Sequence, residues 1–163
     1  MNKLAKILTY SIFMILVFVS CARNFPEKLP DFGKEIDISK VNKSIKISLP
    51  PNGNTFKNGD LVSIYLENLT ETAWNLDIKE GIFIYRVIDN NWAQVKDDAN
   101  VIGPTNFVIE PIGVFPGDRK VIAVLPSLKS DTPVLVRIFV LVQKQLPDEG
   151  SQYSLSYVDV YLK

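Results

Sequence analysis

The fold is decided by the stretch VLVRIFVLV at residues 134–142, in which every residue except Arg137 is apolar. Its even-numbered positions are all β-branched, and side chains of that class favour pleated, half-buried strands. Because a strand alternates its side chains between two faces, the stretch predicts a strand whose even-numbered face lies in the core. The odd-numbered face then needs a cover, or it forms an apolar patch. It consists of Leu135, Arg137, Phe139 and Leu141.

Residues 152–162 predict a second strand, which a turn through residues 146–150 could pair with the first as a hairpin. Val158, Val160 and Leu162 are expected to face the core. The other face of the same sheet then carries Tyr153, Leu155, Tyr157, Asp159 and Tyr161.

Short strands separated by turn residues are predicted along the rest of the chain, with no helix of normal length competing. Asp89-Asn90-Asn91 suits a tight hairpin turn, and Pro116-Gly117 suits a type II turn. Seven to nine such strands in one domain favour an all-β antiparallel β-sandwich. The predicted strands are 45–49, 62–67, 73–78, 82–88, 92–95, 107–109, 119–125, 134–144 and 152–162.

Several motifs, taken in their order, resemble the immunoglobulin-like domains of bacterial surface lipoproteins. They are residues 56–60 leading into 62–68, then 81–86, 91–92 and 115–118. The resemblance loosely covers residues 44–163, although the antibody framework of two cysteines and a tryptophan is absent. It implies an immunoglobulin-like sandwich with a surface-binding habit, and it brings no catalytic residue.

The N-terminus has the anatomy of a signal peptide over residues 1–20. Lys3 and Lys6 precede an apolar stretch of about 13 residues, whereas a helix needs about 20 apolar residues to span a bilayer. A small residue, Ser20, ends the stretch. A cleaved signal peptide is therefore preferred to an uncleaved anchor.

The chain has one cysteine, Cys21, and it directly follows Ser20 in the run VFVSCA at residues 17–22. This run resembles the lipobox of bacterial lipoproteins, with Phe18 where that family prefers Leu. The resemblance implies a diacylglyceryl group on the Cys21 sulfur, cleavage before the cysteine, and lipid anchoring outside the cytoplasm. It also implies that Ala22 favours the outer membrane, in bacteria that have two membranes.

Residues 21–43 are predicted to be the lipidated N-terminus and a flexible tether. This segment contains prolines and mixed charges, and its apolar residues show no sustained helical or strand period. The sandwich domain is expected to follow over residues 44–163. At about 3.3 Å per residue, an extended tether could hold the domain several nanometres from the membrane.

The composition argues against an enzyme. The chain has no histidine, so it lacks the usual general base and the commonest metal ligand. Its formal charge is zero, which does not favour nucleic acid as a partner. Asp97, Asp98 and Asn100 could offer oxygen atoms to Ca²⁺ but fit no known loop motif, and we expect no metal and no cofactor.

The candidate partner-binding surface is the odd-numbered face of the hairpin, because aromatic and arginine side chains supply most interface energy. Two alternatives stay open: the tether folds over this face, or its tyrosines only fill an exposed sheet face. The candidate residues are Leu135, Arg137, Phe139, Leu141, Tyr153, Tyr157 and Tyr161.

The expected function is that of a lipid-anchored, non-catalytic binding or scaffold module of the bacterial cell envelope, an accessory subunit with a protein partner. The alternative is a lipoprotein that binds cell-wall or extracellular glycans through Trp74 and Trp92. Inhibition of a secreted protease is a third hypothesis.

Overall fold

A computed structural model describes residues 25–51, 53–57, 59–95, 99–102, 111–126, 133–146 and 150–163. Eleven strands are present in this part of the chain, together with one 3-10 turn at Ile38–Lys40. The strands are β1 Ile45–Ser48, β2 Thr55–Phe56, β3 Val62–Asn68, β4 Trp74–Leu76, β5 Ile82–Ile88, β6 Asn91–Gln94, β7 Ala99–Ile102, β8 Ile112–Val114, β9 Arg119–Pro126, β10 Val134–Leu146 and β11 Gly150–Leu162. The all-β class is confirmed.

The strands form two sheets. The first sheet has the order β1-β3-β9-β7, with antiparallel neighbours. The second has the order β2-β11-β10-β4-β8, and β5 pairs with β10 and with β6. All of its pairs are antiparallel except β2 with β11, which run parallel.

One apolar core lies between the two sheets. The first sheet contributes residues such as Ile64 and Ile122, and the second contributes Ile138 and Val160, all fully buried. Neighbouring residues of a strand point to opposite faces, so each of these strands sends every second side chain into this core. The predicted even-numbered core faces of β10 and β11 are confirmed.

The hairpin of β10 and β11 forms the longest pairing of the fold. Its register runs from Val134 opposite Leu162 to Leu146 opposite Gly150. Each strand has 13 residues, so the hairpin is about 40 Å long at about 3.4 Å per residue. The predicted hairpin is therefore confirmed, and its two strands carry most of the outer face.

Two predicted turns are also confirmed. Asp89 and Asn90 have φ values of 49° and 61° and join Ile88 to its partner Asn91, as a two-residue type I′ hairpin requires. At the second turn, Gly117 has φ 75°, and the Asp118 amide donates to the Phe115 carbonyl at 3.0 Å.

Three expectations need correction. The described strands exceed the predicted seven to nine, since β2, β7 and β8, each of two to four residues, were not predicted. A purely antiparallel arrangement is wrong at one pair, where Thr55 and Phe56 run parallel to Tyr161 and Leu162. The predicted strand at 107–109 lies outside the described residues.

Candidate functional site

The predicted partner-binding residues do share one face of the second sheet. Opposite pairs in the hairpin register form successive rows across β10 and β11. We call this side, which points away from the core between the sheets, the outer face. Its rows are Leu135 with Tyr161, Arg137 with Asp159, Phe139 with Tyr157, Leu141 with Leu155, and Gln143 with Tyr153. Phe83 and Tyr85 extend the face onto β5, opposite Phe139 and Arg137.

Much of the outer face is covered by residues 25–41, which we call the N-terminal strap. Four of its apolar side chains pack against a buried cluster that includes Phe139 and Leu155: they are Leu29, Phe32, Ile36 and Val41. Of the residues predicted to bind a partner, Phe139 is 0% exposed and Leu141 is 5% exposed. The prediction of an open surface is therefore wrong at these two positions and at Arg137, which is 9% exposed and lies under Phe25, and the alternative of a folded-over N-terminal segment is correct for this part of the face.

Phe32 is the central side chain of the strap. Its ring centroid lies 5.1 Å from that of Phe83, 5.1 Å from that of Phe139 and 6.0 Å from that of Tyr85. The rings meet at angles of 60° to 84°, which is the edge-to-face geometry that aromatic quadrupoles favour. The predicted flexible tether is therefore wrong for residues 25–41, because their apolar side chains find partners on the sheet.

Asn42 fixes the end of the strap to the edge of β11. Its backbone amide donates to the Leu155 carbonyl at 2.9 Å, and its side-chain oxygen accepts from the Tyr157 amide at 2.8 Å. Its φ of 60° is a conformation that asparagine tolerates better than most residues. Asn42 thus satisfies two edge groups that would otherwise need water or another strand.

Arg137 holds the other end of the strap. Its guanidinium forms two hydrogen bonds with the carboxylate of Asp159, at 2.6 and 2.9 Å. The same guanidinium carbon lies 3.9 Å from the ring centroids of both Phe25 and Tyr157. A buried arginine is tolerated where a carboxylate neutralises it and aromatic faces stack on its plane. Arg137 is therefore committed to contacts within the chain.

Trp92 completes this end of the strap. Its ring stacks on Phe25 with the centroids 5.4 Å apart and the planes 17° apart. Its indole Nε1 donates to the carbonyl of Lys28 at 2.7 Å. Both the apolar and the polar part of Trp92 are thus used to bind residues 25–28.

The strap also changes the electrostatics of Tyr85. Burial raises the pKa of the Tyr85 phenol above its ordinary value of 10.0, and the carboxylate of Asp31 raises it further. Asp31 belongs to the strap, and its Oδ1 accepts from the Gly33 amide at 2.8 Å. The pKa of Tyr85 is therefore sensitive to whether the strap is docked.

Four predicted partner-binding residues keep part of their surface. Leu135, Tyr153, Tyr157 and Tyr161 are each half-buried. Tyr157 contacts Arg137, while the Lys34 ammonium lies 5.5 Å from the ring centroid of Tyr153. Leu135 and Tyr161 face each other across the strands, in the row beyond Arg137. This row is the part of the predicted surface that a partner could reach without displacing Phe32.

The two tryptophans of the glycan hypothesis lie on opposite sides of the second sheet. Trp74 is 4% exposed in the core between the sheets, and its Nε1 donates to the Thr70 hydroxyl at 3.0 Å. Trp92 belongs to the outer-face cluster. The expectation that both bind a glycan is wrong for Trp74, which sits on a core position of β4.

The calcium alternative gains nothing from the structure. Asp97 and Asp98 lie outside the described residues, and Asn100 is placed only as part of β7. Within the described ranges there is no group of three His, Cys, Asp or Glu side chains that could hold a metal ion.

Cys21 and the whole lipobox lie outside the described residues. Among the residues that are described, no helix has the length and apolar character needed to cross a membrane.

Sequence comparisons find no match, either among protein-family models or among curated proteins. Comparison of structures finds weak similarity to AvmM, which catalyses macrocyclization in alchivemycin A biosynthesis. The TM-score is 0.38 at 12% identity, over 75% of this chain and 90% of AvmM. Spo0M, a sporulation control protein from Bacillus subtilis, also has a TM-score of 0.38, at 10% identity over 74% of this chain. This chain spans about half (49%) of the Spo0M chain.

Proposed function

We propose that this protein is a lipid-anchored, non-catalytic binding or scaffold module of the bacterial cell envelope. Its anchor is lipid on Cys21, and its role is that of an accessory subunit in a larger surface or membrane complex. The observation that carries the proposal is that Phe25, whose ring stacks on Trp92, lies only four residues after a cysteine that follows an apolar leader. That arrangement suits a domain presented from a processed, lipidated N-terminus.

The proposed partner surface is smaller than the sequence alone suggests. The strap occupies Phe139 and Leu141, so we assign partner binding to the row of Leu135 and Tyr161. Both side chains are half-buried and lie opposite each other on adjacent strands of the long hairpin. A tyrosine beside an aliphatic side chain offers contact area at a low cost in conformational entropy.

For the fold, we propose that the two sheets form an immunoglobulin-like sandwich. The shared core between them and the predominance of antiparallel pairs support this assignment. The parallel pair of β2 and β11 is a local addition at one edge of the second sheet.

The anchor is tested by metabolic labelling with palmitate in a bacterial host that processes lipoproteins. The wild-type chain should carry the label, and the Cys21→Ala chain should not. Equal labelling of the two chains would rule out lipid on Cys21.

The partner surface is tested with a photo-crosslinking amino acid at Leu135 in intact cells. The matched control is the same amino acid at Val121, which is 45% exposed on the first sheet. A discrete crosslinked band from position 135, absent from position 121, is the expected result. Identical patterns at the two positions would exclude this row as the specific interface.

A further inference from the structure

We infer that the end of the domain carrying Phe25 and Arg137 is held close to the surface of a lipid bilayer, so that a partner of the row of Leu135 and Tyr161, which lies at this same end, would itself be a membrane protein. The inference rests on the proposed lipidation of Cys21, and it adds the orientation of the domain. It follows from docking of the strap, which leaves only three residues between Cys21 and the packed side chain of Phe25.

The connection between Cys21 and the domain is short because Phe25 packs on the outer face. Its ring stacks on Trp92, and the Arg137 guanidinium carbon lies 3.9 Å from its centroid. Three residues lie between Cys21 and Phe25, and the four steps from one Cα atom to the other span at most about 14 Å. If the strap were free as far as Asn42, the same anchor would reach about 70 Å. Docking therefore shortens the maximum distance between bilayer and domain about fivefold.

The anchored end can be placed along the hairpin. Arg137 lies near the beginning of β10. Ile88, the last residue of β5, lies at the same end of the sheet, because it is two residues beyond Arg86, which pairs with Val136. Glu71 lies towards the other end of β10, because it precedes β4, whose Asn75 pairs with Gln143. The two ends of β10 are about 40 Å apart. We call them the near end and the far end.

The near end also presents apolar side chains suited to the boundary between lipid headgroups and acyl chains. Ile88 is 42% exposed at the end of β5. Leu61 is 53% exposed and follows the turn after Phe56. Phe56 lies at the near end, because its carbonyl accepts from the amide of Lys163, just beyond the end of β11. Exposed apolar side chains at the anchored end lose less free energy beside a bilayer than in bulk water.

The orientation is tested by energy transfer to the membrane. The chain has one cysteine, which a thioether to lipid would occupy, so an introduced cysteine is the sole free thiol. Ile88→Cys marks the near end and Glu71→Cys marks the far end, both at exposed positions. Each full-length lipoprotein is labelled with a donor dye and reconstituted into phosphatidylethanolamine and phosphatidylglycerol vesicles that carry a headgroup acceptor dye. Transfer should be higher from position 88 than from position 71.

A spacer variant provides the control for the short connection. Fifteen Gly and Ser residues between Ala22 and Arg23 leave every described residue unchanged and add a span on the order of 20 Å. Transfer from position 88 should fall by about twofold or more in this variant, because the near end is no longer restrained.

Palmitate labelling of the same preparations separates the two ways to fail. Labelled protein with equal transfer from both positions, unchanged by the spacer, would overturn the orientation and leave the anchor intact. Unlabelled protein would overturn the anchor, and the orientation with it.

Discussion

Replacing Phe32 with alanine should loosen the strap and destabilise the whole domain. Phe32 contacts three aromatic rings on β5 and β10, all with centroid distances between 5.1 and 6.0 Å. Without this ring, the outer-face cluster around Phe139 loses the side chain that covers it. Water then reaches apolar surface that the strap keeps dry.

The expected loss can be estimated in two ways. Each aromatic pair contributes about 0.5–1.5 kcal/mol beyond area burial, so three pairs together contribute about 1.5–4.5 kcal/mol. Replacing a fully buried Phe with Ala costs about 3–5 kcal/mol, and Phe32 is only half-buried, which favours a lower value. We expect Phe32→Ala to lower the free energy of unfolding by about 2–3 kcal/mol.

The assay is urea unfolding of the unlipidated chain 22–163, followed by circular dichroism. Ile38→Ala is the matched control, because Ile38 belongs to the same strap but is 70% exposed, and it should stay within about 0.5 kcal/mol of wild type. Hydrogen exchange should quicken at the Asn42 amide in Phe32→Ala. A loss no larger than that of the control would refute the claim that Phe32 holds the strap.

Three further changes have defined outcomes. Asp159→Asn removes the charge that neutralises Arg137, and because the carboxylate is about a third exposed (32%) we expect a loss of about 1–3 kcal/mol in urea unfolding. Tyr85→Phe should change the pH dependence of stability. Because the pKa of the Tyr85 phenol is raised in the folded state, the contribution of this phenol to stability is complete below pH 10.0 and is lost as the pH rises through the folded-state pKa. Measured by urea unfolding, wild type should therefore lose stability above pH 10.0 that the variant retains. Gly81→Ala should cost about 3 kcal/mol in thermal unfolding, because a Cβ there would lie 2.5 Å from the Leu141 carbonyl oxygen, and an unchanged melting temperature would contradict this packing.

The strongly periodic parts of the fold could be predicted from the sequence. Residues 134–142 specify both faces of β10, because two-residue alternation is set by the backbone itself and β-branched side chains mark the buried face. The turn at Asp89 and Asn90 could be predicted for a local reason, since these residues tolerate positive φ. Such features depend on neighbours in the chain and need no knowledge of distant contacts.

The strap could not be predicted in the same way. Leu29, Phe32 and Ile36 have the three- and four-residue spacing of a helix face, but Pro30 and Gly33 interrupt that stretch, and the structure has no helix there. These side chains are instead buried by contacts with a distant sheet, which the local pattern does not show. The signal that could have revealed the strap was the combination of these apolar residues with an uncovered odd-numbered face on β10. The parallel pairing of β2 was missed because two residues are too few to show a period.

The most direct test of the central claim is the intact mass of the purified mature protein. Lipid anchoring at Cys21 predicts a chain that begins at Cys21 and carries the added mass of a diacylglyceryl group, with or without a further acyl chain. A mature chain that begins elsewhere, or one with an unmodified Cys21 thiol, would contradict it.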